Sequence, residues 1–252
     1  MQKNRINIYM KIIGIIPARY KSTRFEGKPL ADICGKPMIW WVYQQVKKSK
    51  KLNDVYVATD DSRILNICEQ YSINCLMTDS KHQTSTERLN EVAHKIQADL
   101  YLCVNGDEPL IDPSIIDAII PNEKPDIDFY VSNLMTEIKD PVEVIDCTNI
   151  KVVTDFEKNA LFMSRNPIPY PKSSINYKFY KHVGILIYSI QALEFFSNTP
   201  KGYNEQIEDI NELRFIENGK KLKMIEVIAN SLSVDTPKDL EKVISIIKKD
   251  IQ

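Results

Sequence analysis

The chain has 252 residues, 43% of them hydrophobic and 27% charged, with a formal net charge of −1. That apolar content can fill one sizeable α/β domain, and the balanced charge excludes a general nucleic-acid binder, which would carry a basic excess. No apolar run approaches the roughly 20 residues of a membrane span, so the expectation is a cytoplasmic protein that works away from the membrane.

Residues 1–10 lack the apolar core of a secretory signal and read as an N-terminal extension. Ile12-Ile13-Gly14-Ile15-Ile16, bounded by Pro17, predicts a short strand buried on both faces. A loop follows with Arg19, Lys21, Arg24 and Lys28 around Ser22 and Thr23, and with Gly27 near its end. Cations and hydroxyls at the carboxyl end of a first strand suit an anionic ligand, a polyphosphate, in an open α/β sheet. The plainer alternative is a solvated basic loop.

Lys36–Lys48 predicts a helix with Pro37 at its first position. Asp54–Thr59 predicts a strand, 62–71 a helix, Asn74–Met77 a strand, Glu87–Gln97 a helix and Leu100–Val104 a buried strand. This alternation points to a parallel sheet with right-handed crossovers. Beyond residue 125 the pattern weakens, and residues 127–190 read as a β-rich excursion from a single domain spanning 1–252. Within it, Lys151–Asp155 and Ala160–Met163 pair around a turn, the stretch NPIPYPK excludes helix and central strand, and Tyr180–Tyr188 is a further strand. Helices are expected at Ile190–Ser197 and Glu205–Asn218, a strand at Leu222–Ile228, and a last helix begun by Thr236-Pro237.

The five cysteines show no C-x-x-C spacing and read as structural thiols of a reducing compartment. His82, His94 and His182 are scattered, which argues against a zinc site. The seven glycines form neither G-x-G-x-x-G nor G-x-x-x-x-G-K, so a phosphate clamp must rely on side chains. Arg19 and Arg24 can grip phosphate oxygens in bidentate fashion, with Lys28 as a point charge.

Asn105-Gly106-Asp107-Glu108-Pro109 follows the Leu100–Val104 strand, placing a carboxylate opposite the basic loop, where Mg²⁺ is bound through one or two acids plus phosphate oxygens. Asp235, in Ser233-Val234-Asp235-Thr236-Pro237, is the second acid; capping of the last helix by Asp235 or by Thr236 is the alternative reading. Thr84-Ser85-Thr86-Glu87-Arg88 reads either as a helix cap, on Ser85 or Thr86, or as a loop that contacts a base or sugar. Ser164-Arg165 and His182 together suit a carboxylate or phosphate on a second substrate.

The motifs IPARY-x-STR-x-x-GKPL, ATDD, TSTERLNE, NGDEP, SR-x-x-IP, H-x-GI, ELR and VDTP, in that order across residues 11–245, resemble the CMP-Kdo synthetase family. These are CTP-dependent cytidylyltransferases of bacterial surface polysaccharide synthesis. The resemblance implies a three-layer α/β nucleotidyltransferase fold, Rossmann-like and mostly parallel, whose β-rich excursion forms a homodimer. It implies that Arg19, Ser22, Arg24 and Lys28 bind the triphosphate and that Arg19, Arg24, Lys28, Asp107 and Asp235 carry the catalysis. Pro17, Ala18, Thr84, Ser85, Thr86, Arg88, Asn105 and Gly106 would complete the nucleotide site, with Mg²⁺ on Asp107 and Asp235. Arg165, His182, Tyr188, Asn211 and Glu212 would face a small anionic acceptor.

Three of the motifs depart from the family pattern. Phe25-Glu26 replaces Leu-Pro, Asn105 replaces a glutamine, and Asn211-Glu212 replaces Glu-Gln before Leu-Arg. A glutamate in place of the glutamine removes an amide donor and adds charge where a sugar acid would lie, and such a change alters discrimination strongly. On that ground the acceptor need not be Kdo. The chain also resembles a divergent branch, the CTP:phosphoglutamine cytidylyltransferases of capsule phosphoramidate synthesis, and that resemblance implies L-glutamine phosphate as the favoured acceptor, giving CDP-L-glutamine. A Kdo-like sugar acid, a sugar 1-phosphate, and an inactive nucleotide-binding homologue remain as alternatives.

Overall fold

The computed structural model describes residues 10–22, 25–125, 128–174, 176–229 and 232–251. The N-terminal extension, Thr23 and Arg24 lie outside the described residues.

Strand β1 (Ile12–Ala18) is the axis of the molecule, and it continues through Pro17 to pair Ala18 with Thr59. It lies between two parallel neighbours, β4 (Asp54–Thr59) and β6 (Leu100–Val104), and β4 pairs in turn with β5 (Cys75–Met77). On the other side of β6 come β10 (Tyr180–Tyr188), β7 (Val131–Glu137) and β11 (Lys223–Glu226). Within this row β10 runs against both neighbours, while β11 is parallel to β7. The main row is therefore parallel except for one reversed strand.

Side chains alternate faces along a strand, and the apolar runs use that alternation to feed two cores. Ile12 and Ile16 of β1, Leu100, Leu102 and Val104 of β6, and Ile185 and Ile187 of β10 enter one cluster. Ile13 and Ile15, Tyr101 and Cys103, and Leu186 and Tyr188 enter the other. The first is covered by helices α1 (Met38–Lys47), α2 (Ser62–Gln70) and α4 (Pro113–Ile119), and the second by α3 (Ser85–Lys95), α6 (Ile190–Asn198) and α8 (Leu213–Glu217). This is the expected three-layer α/β sandwich, with the sheet buried on both faces.

Several local expectations change. Lys36 and Pro37 form β3, which pairs with β2 (Asp32–Ile33) across a Cys34-Gly35 turn with φ of 53° and 83°. Pro37 therefore precedes α1 instead of opening it. The Glu205–Asn218 helix is split into α7 (Tyr203–Glu208) and α8, because Asp209 takes a left-handed φ of 52°, a conformation that Asp tolerates better than most residues. The excursion is smaller than expected: β7 and β10 belong to the main row. Within it, β8 (Lys151–Thr154) pairs with the start of β10 and, in a hairpin, with β9 (Ala160–Ser164), after the short helix α5 (Pro141–Ile145). Helix α9 (Pro237–Ile251) closes the chain.

Candidate active site

Parallel strands align their carboxyl ends, so the segments after β1, β4, β5 and β6 emerge along one edge, joined by the amino-terminal half of the reversed β10. The chain leaves β1 towards β4 and later returns to β1's other side at β6. Such a reversal opens a crevice at the strand ends, where open α/β sheets bind their ligands.

The basic loop is shaped locally. Gly27, at φ 69°, lets its N–H donate to the Tyr20 carbonyl at 2.8 Å, which ties the end of the loop back to its start. The Tyr20 ring fills the space beside Gly27 and is stacked at 3.2 Å by the Arg63 guanidinium, itself gripped in bidentate fashion by Asp61 at 2.9 and 2.7 Å. Lys28 begins the 3-10 turn Lys28–Leu30 that follows. Its ammonium donates to Asp107 Oδ2 at 2.8 Å and to the Val234 carbonyl at 2.9 Å, and lies 3.8 Å from Asp235 Oδ1. The Val234 N–H donates to the Asp107 carbonyl at 2.8 Å, so the segments after β6 and before α9 are stitched together at this point.

Beneath that junction is a small separate core. Ile33 and Met38 pack on Val234, Val243 and Ile247, with Phe25 and Leu110 at its margin. It anchors α9 to the β2–β3 hairpin and thereby holds Asp235 opposite Asp107. Thr236 caps α9: its hydroxyl donates to Asp239 at 2.8 Å and accepts the Asp239 N–H at 3.4 Å. Asp235 does not serve as that cap.

Thr84, and neither Ser85 nor Thr86, caps α3, through a reciprocal capping box with Glu87. The loop before it is held by Glu91, which accepts the Asp79 N–H at 2.8 Å and contacts His82 at 2.5 Å. Burial would raise the Glu91 pKa, but Lys95, the Asp79 amide and His82 outweigh it and bring the carboxyl down to about 2. Arg88 is 1% exposed, donates to the Thr78 hydroxyl and lies 3.2 Å from Asp60, which gives the ATDD segment its role.

These segments enclose a cavity of about 590 Å³. Pro17, Ala18, Arg19, Ser22 and Lys28 line it from the first loop, and Thr84, Ser85 and Arg88 from the α3 side. Asn105, Gly106, Asp107, Asn211 and Asp235 complete the sequence-predicted wall. Thr86 turns inward to the Tyr188 hydroxyl, and Tyr188 is buried at 1% exposure in the second core, where burial first, then Glu212 and Cys103, push its pKa well up. Tyr188 and Thr86 are thus core residues and not cavity walls. Glu212 is also buried behind the wall, among Tyr188, Cys103 and His182. His182 meets the Asn133 side-chain oxygen at 3.0 Å, and desolvation keeps its imidazole below the ordinary pKa and neutral. Arg165 is turned to main-chain carbonyls, donating to Glu208 at 2.7 Å, Cys147 at 3.0 Å and Asp209 at 3.1 Å, and so braces the left-handed turn instead of lining the cavity.

Sequence reasoning missed Gln83, Lys201 and Asp209 in the wall, and gave Lys21 and Pro29 no separate role. Gln83 immediately precedes the Thr84–Arg88 segment, for which contact with a base or sugar is one of the two sequence readings. Lys201 and Asp209 carry no local signal; they arrive because the buried Arg214–Glu205 pair, at 2.8 and 2.5 Å, clamps α7 and α8 beneath the end of α6, where Arg214 also donates to the Phe196 carbonyl.

A family model described as cytidylyltransferase matches residues 13–222. The 3-deoxy-manno-octulosonate cytidylyltransferase of Geotalea uraniireducens is 42% identical over 95% of this chain and 100% of its own length. The chain belongs to the CMP-Kdo synthetase family of cytidylyltransferases. The 8-amino-3,8-dideoxy-manno-octulosonate cytidylyltransferase of Shewanella pealeana is 39% identical, over 92% of the chain and 96% of that protein. A solved CMP:2-keto-3-deoxy-manno-octonic acid synthetase complexed with CTP superposes with a TM-score of 0.89 at 37% identity, covering 95% of this chain and 99% of the other. As a member of the CMP-Kdo synthetase family, the chain is a CTP-dependent nucleotidyltransferase, and the expected fold class holds.

Proposed function

We propose that the enzyme transfers CMP from CTP to an octulosonate-type 2-keto sugar acid. An acceptor hydroxyl oxygen attacks the α-phosphorus in line; the new O–P bond forms as the bond to the bridging oxygen breaks, and pyrophosphate leaves with the electron pair. The hydroxyl proton passes to solvent. The observation that carries the reading is the Lys28 ammonium set between Asp107 and Asp235 in the wall of a cavity that Arg19 and Lys21 also line.

Arg19, Lys21 and Lys28 supply positive charge for the triphosphate and for the departing pyrophosphate, and Ser22 offers a hydroxyl to the same group. Arg24, from the same loop, belongs to this set by sequence. Thr84, Ser85 and Arg88 close the nucleotide end, while Asn105, Asn211 and Lys201 offer an acceptor amide and cation donors. Two carboxylates suit a divalent cation that completes its shell with phosphate oxygens, and among the described residues no group of three or more His, Cys, Asp or Glu side chains forms an all-protein metal site. A bound Mg²⁺ on Asp107 and Asp235 would neutralise phosphate charge and lower the pKa of the acceptor hydroxyl.

The expectation of L-glutamine phosphate rested on Glu212 facing the acceptor. Glu212 is 8% exposed and does not line the cavity, so it offers the acceptor no direct contact, and relatives named for octulosonates favour the sugar-acid reading. A homodimer fits the surface: of eleven exposed large hydrophobics among the described residues, six (Val142, Ile145, Phe156, Leu161, Tyr170 and Tyr177) fall within residues 142–177. No helix among the described residues is long and apolar enough to cross a membrane; we place the enzyme in the cytoplasm, supplying activated sugar for surface polysaccharide.

Pyrophosphate release from CTP and Mg²⁺ tests the reading. Release with 3-deoxy-manno-octulosonate, or with its 8-amino-8-deoxy analogue, is the expected result. Release with L-glutamine phosphate alone would replace the acceptor, and no release with any acceptor would overturn the reaction.

A further inference from the structure

We infer that Lys28 guards the carboxylate pair, so that the free enzyme binds divalent metal poorly and accepts it together with the triphosphate. This deepens the reading of Asp107 and Asp235 as metal ligands and rests on it. The ammonium is spent on Asp107 Oδ2 at 2.8 Å, on the Val234 carbonyl at 2.9 Å and on Asp235 Oδ1 at 3.8 Å. Its side chain is only 16% exposed, so it is held against the acids and not waving above them. One positive charge of the chain itself is therefore set against the two carboxylates.

A dication entering that cluster meets carboxylates already engaged by the Lys28 ammonium, with Arg19 and Lys21 in the same wall. The Lys28 ammonium, 16% exposed and 2.8 Å from Asp107, repels an incoming cation at close range where bulk water screens it little. The triphosphate removes the conflict, because its oxygens give the ammonium new partners and supply the remaining ligands of the metal. Lysine suits this exchange: it is a compact charge on a flexible four-carbon stem, whereas the planar arginine fork would lock onto a carboxylate. Metal and nucleotide thus favour one another's binding through Lys28, and that coupling is necessarily reciprocal.

The test is Mn²⁺ binding to the full chain without nucleotide, followed by the electron paramagnetic resonance of free Mn²⁺, for wild type, Lys28→Met, Lys28→Arg, and Lys28→Met combined with Asp107→Asn. Circular dichroism and a thermal melt check that each variant is folded. The expected result is that Lys28→Met binds Mn²⁺ about tenfold more tightly than wild type, within the range usual for coupled sites, while Lys28→Arg does not. Adding Asp107→Asn should abolish the gain. Equal Mn²⁺ affinity in folded Lys28→Met and wild type overturns the guard, as does an equal gain in Lys28→Arg. A gain in Lys28→Met that survives Asp107→Asn instead overturns the assignment of Asp107 as a ligand, so the two failures are distinguishable.

Discussion

Gly184 faces the site from β10, and replacing it with alanine perturbs the cavity wall without touching a charge. A Cβ there would lie 2.3 Å from Asn105 Nδ2, 3.0 Å from Asn105 Cγ and 3.3 Å from Glu108 Oε1. The Asn105 amide has to withdraw from 2.3 Å to the 3.4 Å of ordinary contact, a shift of about 1 Å. The backbone gives little freedom, because the Asn105 N–H is bonded to the Gly184 carbonyl at 3.2 Å. Overpacking of this kind costs about 1–3 kcal/mol of stability, and a misplacement of that size in a positioning group costs about 10²-fold in rate, equivalent to about 2.7 kcal/mol of barrier. Denaturant unfolding and steady-state pyrophosphate release measure the two separately. Combining Gly184→Ala with Asn105→Ala should recover stability, by vacating the space, but leave activity low. Wild-type kcat/KM in the single variant would refute the argument that Asn105 acts through its exact placement.

Asp107→Ala should abolish turnover while CTP binding, checked by calorimetry, weakens less; full activity would remove Asp107 from the metal assignment. Arg214→Met leaves Glu205 charged at 2% exposure, and should cost about 3–5 kcal/mol in chemical denaturation. Glu91 has a folded pKa of about 2 against an ordinary 4.5, so its contribution is complete above pH 4.5 and is lost as pH falls towards about 2. Glu91→Gln should flatten that limb of the stability–pH profile, measured by thermal melts in acid buffers.

Much of the fold could be read without coordinates. The isoleucines of β1 and the run Leu100–Val104 declare buried strands because every residue of each must find an apolar neighbour, whichever face it meets. Tyr180–Tyr188 was legible as a strand by the same rule, but its place between β6 and β7, and its reversed direction, were not. Pairing partners are chosen by layer packing over long separations, which no window of sequence contains. The split of α7 from α8 at Asp209 was likewise hidden, since left-handed backbone at a non-glycine residue is fixed by its surroundings, here the Arg165 and Arg214 contacts.

The site divides in the same way. Sequence alone determined the basic loop after the first strand, the acids at Asp107 and Asp235, and the ordered motifs that name the family, because residue type and strand-end position are local properties. Only the tertiary structure decided that Lys28 reaches Asp107 across 79 residues and Val234 across 206. It also decided that Thr86, Tyr188 and Glu212 turn into the core while Lys201 and Asp209 come to the surface of the cavity. Chemical type is written residue by residue; which side of a wall a side chain faces is settled by what packs behind it.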